Sequence, residues 1–564
     1  MDVFWQRLRA YPSLAIELTA CSFFINFLAL ASSLYSIQVL NRYLSLGIDA
    51  TLITLTFGAL IAIGFEFALR HVRLKQNDWL CNRADDELAN QALDSLTKSE
   101  FSALETIAVN TRREALNSLN VIQQCFGAQN LAGLMDAPFA ALFLLVLYFL
   151  SPWLCFVAVL LILSVVVVSL ISHKLSEGHT ELQQQQSLQA ASYNSSFAGG
   201  TELMKAFQAD RPLREGWDKN RQESSSMRRV LMGIQSVAQN LTHSSTMLMS
   251  VLMMGLGARE VFVGGLDVGM LIGANILASR ALANVNRVLQ MSDSLNRGKR
   301  ALGLLAQLDG LPRERSDGVT LPALKGELQL DDLSFAYDGQ PTPLFERFSV
   351  PVSAGGVVVV TGPNGAGKTT LARLLVGLLE PSRGRILIDG MDIRQAQPEW
   401  WRRQIVYLPQ EPTFFDGTLK ENLSVLLPEV TEETLLQLCR ELALSNYVEG
   451  SPEGLSRVIN NAGALIPVGI RTRLALVRAL VGNGQLVVLD DPTEGVDEEG
   501  CAAIAAVLNQ QVKAGKTIIV MSNEPFMIKA AQVAIDLGVK PVPRIVMAQS
   551  AENDVVSQIE QVDA

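Results

Sequence analysis

Six stretches of this chain are long and apolar enough to constrain the rest of its fold. They run from about Ala15 to Leu40, Ala50 to Leu69, Leu131 to Leu150, Pro152 to Ile171, Leu241 to Val263 and Val268 to Val285. Each supplies the ~20 residues with which an α-helix crosses a bilayer core of about 30 Å. Inside that core every backbone N–H and C=O has to be satisfied within the segment, which a helix achieves by itself. The expected fold of residues 1–310 is therefore an α-helical six-span transmembrane domain in a lipid bilayer. The connections 41–49, 151–152 and 264–267 are short, whereas 76–130 and 174–240 are long, polar and helix-rich in composition and carry most of the Lys and Arg. Positive charge favours the cytoplasmic side, so both long connections and both termini are expected there. The first run follows Arg7 and Arg9, is too long for a signal-peptide core, and shows no small-residue cleavage site.

Composition agrees with a chain of two unlike regions. Hydrophobic residues make up 49 % of the 564 residues and charged residues 18 %, with the apolar excess concentrated before about residue 290. A net charge of -10 argues against nucleic acid as a partner, because phosphate backbones require basic surface. Cys21, Cys81, Cys125, Cys155, Cys439 and Cys501 lie far apart with no C-x-x-C pair, which suggests reduced thiols and neither a disulfide framework nor a zinc site. Residues 311–325, within "GLPRERSDGVTLPALKGE", read as a linker rich in Gly, Pro and charge. From 326 to 549, short β-rich runs such as "GGVVVVTG", "GRILIDG", "QLVVLDD" and "KTIIVMS" alternate with helical stretches. That alternation predicts an α/β domain with a largely parallel sheet. Residues 550–564 form an acidic tail expected to fray.

The run "VVVVTGPNGAGKTTLARLLVG" fits G-x-x-x-x-G-K-T from Gly362 to Thr369, placed between a buried strand and an amphipathic helix. Gly362, Gly365 and Gly367 let the loop Pro363, Asn364, Ala366 fold round a phosphate, whose charge meets backbone N–H groups and the helix start. Lys368 is expected to reach the β/γ-phosphates, the Thr369 hydroxyl to ligate Mg²⁺, and Thr370 to complete the cradle. Farther on, "LVVLD" puts Asp490 at the end of a buried strand, where its carboxylate can hold the metal's water shell. The cofactors implied are ATP and Mg²⁺, on an α/β P-loop nucleotide-binding domain.

These residues resemble the ABC transporter family with membrane and ATP-binding domains fused, and the resemblance covers essentially the whole chain. It implies that Tyr337 in "LSFAYDG" stacks on adenine and that Gln410 in "IVYLPQEPTF" links the γ-phosphate and metal to the membrane domain. It also places Asp497 in the loop after the second acidic motif. The membrane stretches "NFLALASSLYSIQVLNRYLSLG", "DAPFAALFLLVLYFLSPW" and "VGMLIGANILASRALANVNRVLQ" look like the ATPases of bacterial type I secretion that serve RTX-type proteins. That narrower resemblance implies an exporter of the inner membrane, a polypeptide cargo, and membrane-fusion and outer-membrane partner proteins. Relatives often carry a peptidase-like domain ahead of the first span. With the first run starting near residue 15, no such domain is expected, and Cys21 inside the run reads as packing.

Three positions depart from the family pattern. Aligning "RLALVRAL" places Ile466, Pro467, Val468, Gly469 and Ile470 on the LSGGQ signature, and only Gly469 matches. In the family the serine and N–H groups at this helix start grip the γ-phosphate held by the partner's P-loop. Proline has neither N–H nor hydroxyl, and valine brings a branched side chain to a place of close approach. The glutamate that orients the attacking water is replaced by Asp491, whose carboxylate is retracted by about 1.5 Å. The switch histidine is replaced by Asn523, which can hydrogen-bond a phosphate oxygen but lacks imidazole's charge option. Asp491 and Asn523 are thus the candidate catalytic pair, and Pro467, Val468 and Gly469 the partner-facing signature.

The expected function is an ATP-dependent exporter subunit that binds ATP, turns it over weakly alone, and works with a second, more complete ABC subunit in a heterodimer. The alternatives are a nucleotide-sensing regulatory subunit, or export of a lipid, peptide or small molecule. In the membrane runs, Glu66 is expected to pair with Arg70 or Arg73, and Asn26 and His243 to serve helix packing or line a cavity. Trp400 to Arg403 is expected to pack inside the ATP-binding domain.

Overall fold

The computed structural model describes residues 2–43, 47–199, 201–337, 339–340 and 342–547; the acidic tail lies outside them. The chain divides into two compact units. One comprises Met1–Lys98 and Thr106–Leu311, and the other Ser99–Glu105 together with the chain from Pro312 onward.

The first unit is helical throughout. Five helical stretches among the described residues are long and apolar enough to span a membrane: Pro12–Tyr43, Asp49–Lys98, Val109–Leu150, Pro152–Ser176 and Val268–Asp309. They contain five of the six expected spans. The remaining one, Leu241–Val263, is helical within Asp210–Phe262. Thr242, His243, Ser244, Ser245, Arg259 and Glu260 dilute its apolarity, so among the described residues five helices meet that length and apolarity, and the sixth expected span is helical but less apolar. The helices also run far past the apolar runs, as in Asp49–Lys98 (50 residues) and Asp210–Phe262 (53 residues). Phe57, Phe65, Phe67, Phe149 and Leu163 are exposed on the apolar segments, as expected where acyl chains replace water. Inside, Ala274, Ala278 and Ala281 allow close helix approach beside Phe143, Leu147, Met249 and Met253.

Buried charge in this unit is matched. Asp136 accepts from Arg73 Nη1 at 2.6 Å, from Arg287 Nη1 at 3.2 Å and from Asn26 Nδ2 at 2.9 Å. Glu66 pairs with Arg70 at 2.7 Å, leaving Arg73 to Asp136. Glu260 accepts from Ser151 Oγ at 2.7 Å.

The second unit is built on three sheets. Strands β1 (Leu328–Phe335), β2 (Phe345–Val352), β4 (Arg383–Ile388) and β5 (Met391–Asp392) pair antiparallel in the order β2-β1-β4-β5. The six-stranded sheet runs β12-β11-β3-β10-β9-β6, from β3 (Val357–Thr361), β6 (Ile405–Leu408), β9 (Leu486–Asp490), β10 (Thr517–Met521), β11 (Val533–Asp536) and β12 (Arg544–Met547). Its strands are parallel except the edge strand β12. A small ribbon joins β7 (Gly417–Thr418) to β8 (Val458–Ile459).

The middle strands are buried on both faces, which is why "VVVV", "LVVL" and "TIIVM" read as continuous apolar runs, without alternation. Two cores result, one holding Phe345, Phe348, Leu371 and Trp401 and the other Leu419, Leu435, Leu474 and Leu476. Trp401 is buried and donates its indole N–H to the Leu375 carbonyl at 3.1 Å, so this pair of tryptophans packs within the domain. Phe101 packs on the first core beneath Arg373, which also pairs with Glu105 at 3.2 Å. Those contacts explain why Ser99–Glu105 groups with the second unit.

Candidate nucleotide site

In a parallel sheet, ligands bind beyond the carboxyl ends of the strands, and here three such ends lie side by side. In register, Val360 of β3 pairs with Met521 of β10, and Met521 pairs with Asp490 of β9. The loop Gly362–Gly367 leaves β3, Asn523 follows β10, and Asp490 closes β9. Gly362 and Asn523, 161 residues apart, are therefore brought together by strand order alone.

Glycine is required twice in the loop by close approach as well as by positive φ. A Cβ on Gly362 (φ 143°) would sit 3.0 Å from the Ala366 Cβ and 3.1 Å from the Gly538 nitrogen. One on Gly367 (φ 109°) would sit 2.7 Å from a Leu344 methyl. The helix Lys368–Val376 starts directly behind the loop. Lys368 is 7 % exposed and donates to the Gly362 carbonyl at 2.9 Å, which holds its ammonium over the loop. The cleft, about 410 Å³, is lined by Tyr337, Gln340, Leu344, Pro363, Asn364, Gly365, Ala366, Gly367, Lys368, Thr369, Thr370, Gln410 and Asp491. Tyr337 packs edge-to-face on Phe335 at 4.9 Å and shares a hydrogen bond with Thr370 Oγ1 at 2.9 Å.

On the metal side, the Thr369 hydroxyl donates to Gln410 Oε1 at 3.3 Å, and Gln410 Nε2 donates to Glu494 Oε2 at 3.2 Å. Asp490 is 1 % exposed, and its carboxylate oxygens have no hydrogen-bond partner of full geometry, the nearest hydroxyl being that of Thr369. Burial pushes its pKa up to about 6. A buried, orphaned carboxylate beside a hydroxyl and an amide oxygen is an all-oxygen donor set of the kind a hard cation such as Mg²⁺ prefers. The residues present fit that ion.

The two candidate catalytic residues stand differently. Asp491 lines the cleft in a left-handed conformation (φ 47°), with its pKa raised by burial against the lowering effect of Lys368. Asn523 uses both ends of its amide on one residue: Oδ1 accepts from the Gly362 N–H and Nδ2 donates to the Gly362 carbonyl, each at 3.0 Å. It clamps the first glycine of the loop to the end of β10.

The signature segment lies elsewhere in the domain, as the N-terminus of the helix Val468–Leu480. Pro467 is the residue before the helix, not within its first turn, and provides no side-chain cap. Val468 is half exposed and packs toward Gly495. Gly469 is buried, and a Cβ there would fall 2.7 Å from the Gly495 carbonyl oxygen. Asp497 forms an ion pair with Arg473 at 3.3 Å, and Arg473 donates to the Gly469 carbonyl at 3.1 Å.

Residues 15–283 match the family model of the ABC transporter transmembrane region, and residues 345–494 match that of the ABC transporter. The chain belongs to the ABC transporter family. The transporter has curated relatives among translocation ATP-binding proteins. It is 26 % identical over 530 residues to the leukotoxin translocation ATP-binding protein LktB of Mannheimia haemolytica, covering 92 % of this chain and 74 % of the relative. It is 26 % identical over 527 residues to the alpha-hemolysin translocation ATP-binding protein HlyB of Escherichia coli O157:H7, with the same two coverages. Its fold matches that of a bacterial Atm1-family ABC exporter with ATP bound, at a TM-score of 0.82 and 16 % identity, over 99 % of this chain and 98 % of that one.

Gln340, Leu344, Glu494 and Lys540 join the site from outside any of the motifs. Gln340 and Leu344 lie in the cleft wall, and Lys540 donates to the carbonyls of Leu344 and Ala366. No motif marks Leu344 or Lys540, because fold contacts bring them there. Glu494 carried one signal, an extra carboxylate three residues after Asp491.

Proposed function

We propose that this chain is one subunit of a heteromeric ABC exporter of the bacterial inner membrane. In it this chain binds ATP–Mg²⁺ while a second, more complete ABC subunit performs most hydrolysis. The cargo is a polypeptide, in keeping with the leukotoxin and alpha-hemolysin named in the relatives' descriptions. Membrane-fusion and outer-membrane proteins would extend the path, and the long helical connections would lie in the cytoplasm.

The observation that carries this reading is the uneven quality of the site. The binding half is intact: loop N–H groups and Lys368 hold the β/γ-phosphates, and Tyr337 takes the adenine. Thr369, Gln410 and Asp490 would hold the metal, which when bound would neutralise phosphate charge. The half that drives turnover is weakened. Pro467 offers no N–H or hydroxyl to a nucleotide on the opposite chain. Asn523 is engaged with Gly362. Asp491 reaches less far than glutamate, and general-base alignment is worth about 10²–10⁴-fold. In a homodimer all these weaknesses would fall in both composite sites, so a partner with an intact signature and glutamate is needed for rapid turnover.

Co-expression with a second ABC subunit and reconstitution in vesicles tests this. Changing the partner's catalytic glutamate to glutamine should stop polypeptide transport, while Asp491→Asn here should cost far less. Full transport by this chain without any second ABC subunit would overturn the reading.

A further inference from the structure

We propose that Glu494 is a positioning residue for the metal side of this site: it turns the Gln410 amide so that its oxygen, and not its nitrogen, faces Thr369 and the Mg²⁺ position. The inference rests on reading the cleft as an ATP–Mg²⁺ site.

A primary amide is nearly symmetric in shape but not in chemistry. Gln410 has an acceptor end and a donor end of nearly equal size, so its shape alone does not choose which faces the metal. Its neighbours are the Thr369 hydroxyl at 3.3 Å and Glu494 Oε2 at 3.2 Å. A hydroxyl both donates and accepts, so Thr369 tolerates either orientation. An ionised carboxylate only accepts, so Glu494 tolerates one. It requires the –NH₂ end, and the oxygen is thereby directed to the Thr369 hydroxyl at 3.3 Å. Turned the other way, Gln410 would point two N–H donors at a cation and an oxygen at a carboxylate.

Glu494 is itself held in place to do this. Its backbone N–H donates to the Asp491 carbonyl at 3.2 Å, within the turn that follows β9. The strand that ends in the metal-side carboxylate thus also delivers the group that orients the second metal-side oxygen. Such outer partners typically change metal affinity about 10–100-fold when removed.

The test uses the purified full-length chain in lipid nanodiscs. Its melting temperature is followed at saturating ATP, first with chelator and then over a Mg²⁺ titration. Glu494→Lys replaces an acceptor with a donor and should turn the amide over. The Mg²⁺ needed for the half-maximal shift should rise about 10-fold or more, while stabilisation by ATP with chelator persists. Glu494→Gln offers an amide that, like a hydroxyl, can meet either end of Gln410, so it should lose part of the bias and titrate between wild type and Glu494→Lys. A Glu494→Lys chain that titrates like wild type overturns the proposal. So does an equal loss in both variants, which would make the carboxylate's charge, not amide orientation, the active feature. If the wild-type chain shows no shift with ATP under either condition, the nucleotide-site reading itself fails, and that result is distinct from both.

Discussion

The helices Lys368–Val376 and Val468–Leu480 belong to the same domain, and both begin where the family brings a helix start to phosphate, yet they begin differently. The first is preceded by Gly367 in a left-handed conformation (φ 109°) and opens with a buried lysine folded back on the loop. The second is preceded by Pro467 (φ -52°, ψ 140°) and opens with a half-exposed valine. Both helices are well formed and both pack on the central sheet's cores. The comparison teaches that a helix start can keep its structural task after the side chains that served a ligand are gone. Gly469 is retained where Ser and Gly were not, because a Cβ there would meet the Gly495 backbone of its own chain.

The largest expected effect lies at the first helix. Lys368→Ala should abolish ATP-dependent thermal stabilisation, since the phosphate charge would be left unmatched. A mutant that shifts its melting point with ATP as the wild type does would break the contrast at its strong end.

The metal side gives a pH signature. Asp490 has its pKa raised from 3.8 to about 6 by burial, so the folded chain binds a proton that the unfolded chain has already lost. The cost of holding it ionised is absent below about pH 4, grows between pH 4 and 6, and is fully present above 6. The gap corresponds to about 3 kcal/mol. The nucleotide-free chain should therefore lose stability as pH rises through that window, and Asp490→Asn should flatten the profile in thermal melts. Mg²⁺-dependent ATP stabilisation, which needs the ionised form, should weaken as pH falls through about 6.

At the second helix, Gly469→Ala should destabilise the domain by about 1–3 kcal/mol, the usual cost of overpacking. Denaturant melts would show it, and a neutral result would remove the packing explanation for this glycine. Smallest of all, Pro467→Ser restores a side-chain cap and should stabilise the helix by about 1 kcal/mol or less. Combined with Val468→Gly, it should also raise turnover in the mixed site facing the partner's P-loop.

Much of this was legible in the residues. The phosphate loop announces itself because its glycines, lysine and threonine are required locally, and the apolar spans because lipid demands length. Leu241–Val263 was harder to place, since its serines, His243, Arg259 and Glu260 soften the apolar signal although the segment is helical. The bond pattern of Asn523 was not legible, because it depends on β10 lying beside β3. Glu494 was hidden for a similar reason: its partner Gln410 follows β6, which lies beside β9, the strand that Glu494 follows.

The central claim is that this chain binds ATP well and leaves most hydrolysis to a partner. Steady-state ATPase activity of the purified chain alone, measured beside its Asp491→Asn variant, tests it most directly. The account predicts a rate close to background that Asp491→Asn barely changes, with clear ATP-dependent stabilisation in both. Brisk hydrolysis by the chain alone, abolished by Asp491→Asn, would contradict it.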